Sequence, residues 1–278
     1  MTRKNLDERT VASFGHEWSH FDQSQFPEDE SKAHFDAYFR VFPWADLPPQ
    51  AVGFDLGCGS GRWAKLVAPR VHVLHCVDAS AQALDVARRA LAAADNCQFH
   101  HRSVDDLPFA DASMDFGYSL GVLHHVPDTA AGLRACVKKL RIGAPFLVYL
   151  YYAFDNRPSW YRWLWRASEL LRRSISEMPD AAKPTVTTAL AAGVYWPLAR
   201  AAKLVQRAGL PARHMPLFAY RDASFYTMKT DALDRFGTPL EQRFTQAEMK
   251  TLMITAGLEA VRFSNEPPYW CAVGTRVR

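Results

Sequence analysis

The sequence predicts an α/β fold, a mostly parallel sheet with helices on both faces. Three observations predict it. Residues 52–67 read as a strand, a glycine turn and a helix, and residues 74–78 read as a second strand that ends in a carboxylate. A helix over 80–94 follows, with Ser80 as its cap and Leu84, Ala87 and Leu91 on one face. The same alternation of strand and helix runs on to residue 152 and resumes at Thr245.

Composition bounds the function classes. At 278 residues the chain buries a core without staples. The five cysteines, Cys58, Cys76, Cys97, Cys136 and Cys271, form no C-x-x-C pair. Neither a disulfide framework nor a zinc knuckle is expected, no metal site is predicted, and the expected compartment is the reducing cytoplasm. Residues 1–30 lack the apolar core of a signal peptide, and no run of about 18 apolar residues offers a membrane span. Net charge is +4 but uneven, with ten Lys or Arg against four Asp or Glu in 153–216. No internal repeat or nucleic-acid motif is visible, so no nucleic acid partner is expected.

Residues 1–45 are expected to form an N-terminal helical flap, with an aromatic run from Phe14 to Asp22 and a helix over 34–42 before Pro43, Pro48 and Pro49 break the chain. In the turn, Gly57, Gly59 and Gly61 remove side chains where a ligand approaches the backbone. Two ligands suit such a turn. A dinucleotide would put its pyrophosphate on the helix N-terminus, but that unit is spaced G-x-G-x-x-G, and Arg62 stands where its last glycine belongs. An amino-acid-like ligand would offer an ammonium group to Asp55, and the carboxylate favours this second reading. Asp78, ending the next strand, suits ribose hydroxyls.

The run Asp55-Leu56-Gly57-Cys58-Gly59-Ser60-Gly61 resembles the first motif of class I S-adenosylmethionine-dependent methyltransferases. The resemblance covers residues 50–152 and 245–278 and implies a Rossmann-like seven-stranded mostly parallel sheet. It also implies S-adenosylmethionine as cofactor and S-adenosylhomocysteine as product. Asp55, Gly57, Cys58, Gly59, Gly61, Asp78 and Ala79 are then expected at the cofactor. The stretch 102–109 is similar to the segment that holds the adenine, which assigns Ser103, Val104 and Asp105. The family often carries an acidic residue at position 103; Ser103 accepts more weakly, and Asp105 is the alternative. Residues 113–128 resemble the fourth strand and the turn beyond it, which brings Leu120 and Gly121 to the cofactor and His124 and His125 to the reaction centre. Histidine is a suitable general base because its pKa lies near neutrality. His124 is the candidate base or a positioning group, and His125 is expected to make structural hydrogen bonds.

A helix over 133–140 and a strand over 146–152 continue the core. A helix over 246–256, capped by Thr245 and stopped at Gly257, then precedes strands over 258–263 and 269–275. Residues 153–244 are thus a mainly helical insertion after the fifth strand, too long to lack structure. Its first helix, over 159–177, sets Trp160, Leu164, Ala167 and Leu171 opposite Arg162, Arg166, Glu169 and Arg173. The apolar face is expected to pack as a lid or line a pocket, with peripheral membrane contact the weaker alternative. A second helical run covers 183–208, bent at 195–197, and 215–229 read as loop before the chain returns to the core over 230–239. Trp18, either shielding the cofactor or anchoring the flap, and Tyr152, Tyr226 and Arg235 are the substrate candidates. The expected function is methyl transfer to an oxygen, nitrogen or carbon atom of a small molecule enclosed by the insertion. The alternative is a non-catalytic S-adenosylmethionine-binding module or partner subunit. Neither acceptor nor oligomeric state is legible.

Overall fold

The computed structural model describes residues 4–23 and 25–278; residues 1–3 and Ser24 of the expected flap lie outside them. In chain order the elements are α1 (Glu8–His20), α2 (Glu28–Tyr38), β1 (Val52–Leu56), α3 (Ala64–Val67), β2 (Val73–Asp78), α4 (Ala81–Ala90), β3 (Cys97–His101), β4 (Phe116–Leu120), α5 (Thr129–Lys139) and β5 (Pro145–Tyr149). There follow α6 (Ser159–Ser176), α7 (Lys183–Leu190), α8 (Trp196–Arg207), α9 (Phe225–Gly237), α10 (Gln246–Thr255), β6 (Leu258–Phe263) and β7 (Cys271–Arg276). These form two compact units. The first holds the described residues of 1–24 with 31–153 and 240–278, and the second holds 25–30 and 154–239.

The first unit is built on one seven-stranded sheet of order β3-β2-β1-β4-β5-β7-β6. Strands β1 to β5 pair in parallel, whereas β7 runs antiparallel to both β5 and β6. Strand order reverses between β1 and β4, so the crevice at their carboxyl ends is where this kind of sheet receives a ligand. Alternation along the strands sends Phe54, Val77, Phe146 and Val148 into one core layer, and Leu74, Cys76, Phe116, Tyr118 and Leu147 into the other. Beyond β5 the chain leaves at a parallel bridge between Tyr152 and Phe244. There Phe244 N–H donates to Tyr151 O and Ala153 N–H to Phe244 O, each at 2.9 Å.

Caps explain where several helices begin. Ser80, Asp128 and Thr245 each accept an amide from the first turn of α4, α5 and α10, and at α10 Glu248 returns a bond to the Thr245 amide. The Asp128 cap starts α5 four residues before the expected 133. The expected helix 34–42 lies instead at Glu28–Tyr38, because Pro27 precedes a first turn of Glu28, Asp29 and Glu30, charges that favour a helix N-terminus.

In the second unit the run expected over 183–208 divides into α7 and α8 around a wide π-turn at Ala191–Tyr195. Pro197 has no amide to give, so the preceding turn opens. The segment read as loop ends in the start of α9, capped by Ser224, and the helix runs on through Gly237 across residues expected to return to the core. The expected docking of the α6 apolar stripe is also corrected: Trp160, Leu164 and Leu171 are exposed. The inward face instead carries Ile175 and the Arg172–Glu169 pair, whose guanidinium also donates to Thr238 O at 2.7 Å. A fork of donors anchored twice fixes that face inward.

Candidate active site

At the carboxyl end of β1 the chain turns through Gly57, Gly59 and Gly61, all with positive φ. A Cβ on Gly57 would lie 2.3 Å from Val122, so both torsion and space demand glycine there. On Gly59 it would stand 3.0 Å from the indole nitrogen of Trp18, which places that α1 side chain against the turn. Gly57 and Cys58 donate their amides to Val77 O at 2.7 and 3.1 Å. Asp78 accepts from the Gly59 amide at 2.9 Å and from the Ser80 amide at 2.8 Å. The Asp78 carboxylate therefore ties the turn to the start of α4, and each oxygen keeps a lone pair for a ligand hydroxyl. Burial raises its pKa, against the pull of the Ser80 and Gly59 amides. The neighbouring Ala79 carbonyl accepts from His101 Nε2 at 2.9 Å.

Asp55 is buried in β1, between Cys76 of β2 and Tyr118 of β4. Its Oδ2 and the Tyr118 hydroxyl are both buried without a hydrogen-bond partner. Burial pushes the Asp55 carboxyl well above the ordinary range; the nearby Tyr118 phenol opposes this and the Asp78 charge adds to it. Such an oxygen is a strong acceptor awaiting a donor. Cys58 is no nucleophile. Contact with the Cys76 thiol draws its pKa down, but burial and the two carboxylates carry it up to about 11.

Beyond β3, the Ser103 hydroxyl bonds Asp105, whose other oxygen accepts the Asn5 amide at 3.1 Å. Burial would raise the Asp105 pKa, yet these two donors hold it below the ordinary value. The pair is thus preformed as an acceptor site, with Val104 buried between its members. At the end of β4 Leu120 is buried, and Gly121 turns at a φ of 79° with open space beside its Cα.

His124 and His125 sit in a 3-10 turn just after. The His124 ring is buried between His125 and Tyr151, centroids 3.9 Å from each, and neither ring nitrogen has a partner. Burial first, then His125 and Arg243, drive its pKa well below 6.5, so the ring is neutral. His125 is engaged differently, with Nδ1 bonded to Leu240 O at 2.6 Å and Phe14 edge-on at 4.9 Å. Arg243 lies over the Tyr151 ring at 5.1 Å and pairs with Glu241 at 2.7 Å.

It is Tyr151 that lies beside His124. Tyr152 packs its ring near Tyr269 and Trp270. Tyr226 and Arg235 belong to α9 of the second unit, where Tyr226 contacts Phe26 and Lys229, and Arg235 reaches Ser168 and Glu169. Tyr118, Tyr151 and Arg243 were not singled out from sequence. The alternation of β4 could have pointed to Tyr118 beside Asp55, but no local pattern joins residue 243 to residue 151.

The arrangement offers a carboxylate for an ammonium, a second carboxylate for a diol, and backbone open to close approach. Residues 54–148 match the family model described as methyltransferase domain. Over 100 residues the chain is 32% identical to probable tRNA methyltransferase 9B of Mus musculus, a match spanning 36% of this chain and 21% of the relative. Over 135 residues it is 31% identical to a ubiquinone biosynthesis O-methyltransferase of Neisseria meningitidis, spanning 47% of this chain and 55% of that one. The fold is similar to the S-adenosylmethionine-dependent methyltransferase SibL in its apo form, with a TM-score of 0.53 and 15% identity over 89% of this chain and 56% of that one. The chain therefore spans between a fifth and just over half of these relatives. Residues 54–148 are thus a methyltransferase domain of the class I S-adenosylmethionine-dependent kind.

Proposed function

We propose that this chain transfers a methyl group from S-adenosylmethionine to an oxygen, nitrogen or carbon nucleophile of a small-molecule acceptor. The observation that carries the reading is the buried Asp55 oxygen without a partner, set beside a glycine turn open to a ligand. An ammonium group, delivered by the methionine part of the cofactor, is the complementary charge. Asp78 would take the ribose hydroxyls, and the Ser103–Asp105 pair the adenine amino group. The bound cofactor supplies a methyl group already activated on a sulfonium, so the protein's main task is alignment.

Trp18 then excludes water from the turn, and Leu120 with the open backbone of Gly121 borders the transferred group. His124, neutral and unpaired, is fitted to accept a hydroxyl proton from the acceptor. We assign acceptor selection to residues 153–244, with Tyr226 and Arg235 as candidates. A small acceptor is favoured over tRNA because the Neisseria relative spans more of both chains than the mouse one. The free cysteines suit a reducing compartment, where we place the enzyme.

Isothermal titration with S-adenosylmethionine, S-adenosylhomocysteine and, as control, NAD tests the reading. The first two should bind and NAD should not, and Asp78→Ala should weaken binding by about 1–3 kcal/mol. Binding of NAD alone, or of none of the three, would sink it.

A further inference from the structure

The outer faces of the second unit carry a pattern that methyl transfer does not use. Of the fourteen large hydrophobic residues exposed among the described ones, eleven fall within 154–239. They are ordered along helices. On α6, Trp160, Trp163, Leu164, Leu170 and Leu171 share one face at helical spacing, with Trp163 67% and Leu170 69% exposed. Trp163 and Leu170 widen the stripe beyond the face expected from sequence, toward the side that carries Arg162, Arg166 and Arg173, and Arg166 lies over the Trp163 ring at 5.2 Å. On α8 and the π-turn before it, Val194, Leu198 and Leu204 are exposed along one side, while Ala199 and Ala202 are buried on the other. Trp196 sits beside this stripe with Arg200 over its ring at 4.0 Å.

Stripes of this kind are ordinarily covered. The candidates for covering them are a second copy of the chain and a lipid surface, and charge decides between them. Residues 154–239 carry thirteen Lys or Arg against seven Asp or Glu. Two copies meeting stripe to stripe would bring their bordering arginines together, which opposes association. An anionic bilayer instead offers acyl chains to Trp and Leu and phosphates to Arg. Tryptophan beside arginine at an apolar border is also the composition of helices that lie at the membrane–water boundary. No helix of the described residues is long and apolar enough to cross a membrane, so contact in the plane of the interface is the geometry left to them.

We propose that the second unit docks on the surface of an anionic lipid bilayer through the exposed stripes of α6 and α8. The inference is independent of which acceptor is methylated. The full chain is mixed with vesicles of phosphatidylcholine alone or of phosphatidylcholine with phosphatidylglycerol, and bound protein is read by sedimentation. Binding at least about tenfold tighter to the anionic vesicles is expected. Trp163→Ser with Leu170→Ser should weaken it by at least about tenfold. Arg162→Gln, Arg166→Gln and Arg173→Gln together should remove the preference for anionic lipid. Unchanged S-adenosylhomocysteine affinity in each variant would show that the fold is intact, whatever the vesicle result. The proposal is overturned by absent binding, by equal binding to both vesicle types, by an apolar variant that binds like the wild type, or by a dimer in sedimentation velocity that this variant dissociates.

Discussion

Asp55 keeps a carboxyl where ionisation is costly, and that cost defines its tests. Because its pKa is raised in the fold, the folded chain holds a proton that the unfolded chain releases near 3.8. Stability of the unliganded protein should therefore decline as pH climbs from there through the raised value. Asp55→Asn should remove this decline in thermal melts across pH, while lowering S-adenosylmethionine affinity by about tenfold or more in titration. A variant losing stability at neutral pH without losing affinity would contradict the assignment. The histidines respond oppositely. His75, 3.0 Å from His100, has a pKa lowered to about 4 by burial and then by His100, and His124 is lowered well below 6.5, first by burial. Stability from both is fully present above 6.5 and is lost as pH falls, for His75 between 6.5 and about 4. For the same reason the kcat profile should show no step near 6.5 from His124. His124→Ala should slow turnover while leaving S-adenosylhomocysteine affinity intact, and wild-type turnover would remove it from the role of base. Asp55 and Asp78 were legible because their meaning lies in short spacing around glycines. The nearness of Tyr151, Arg243 and His124 was not, since it joins chain segments as far as 119 residues apart in sequence.

Among the elements, those with chemical punctuation could be read closely. Ser80 and Thr245 mark helix starts because their hydroxyls satisfy first-turn amides, and Gly57, Gly59 and Gly61 mark a turn because other residues resist its torsions. Thr245→Ala, which removes the hydroxyl that accepts the Glu248 amide but keeps the Thr245 amide bonded to the Glu248 carboxylate, should cost about 1 kcal/mol, seen as a fall of about 2–4 °C in melting temperature. Where punctuation is weak, reading failed. The α9 segment carries mixed polarity and only Ser224 announces it, so it read as loop. The stripe on α6 shows another limit. Periodicity reveals that a helix has two faces, but which face turns inward depends on tertiary partners. Here Arg172 finds both Glu169 and Thr238 O, and that anchored pair occupies the inner side.

For the whole chain, the parallel strands follow from βαβ rhythm, and the resemblance supplied a seven-stranded count that the sheet matches. The reversed β7, wedged between β5 and β6, comes from the hairpin connection that joins it to β6, whose direction no local pattern dictates. The insertion after the fifth strand was visible as an interruption in that rhythm. Its junction is the feature with the widest reach. At Tyr152 and Phe244 the outgoing and returning segments lie side by side, joined by backbone bonds that ignore side-chain identity. A chain in which residues 154–239 are replaced by a short glycine–serine linker should keep a cooperative thermal melt and its S-adenosylhomocysteine affinity, because closing so small a gap is undemanding. Loss of either would show that the core needs the segment. Under the proposed role of this segment, recombination at this one seam would trade one acceptor specificity for another without disturbing the register of the sheet, so that lineages and protein engineers alike would diversify the substrate while inheriting the cofactor site unchanged.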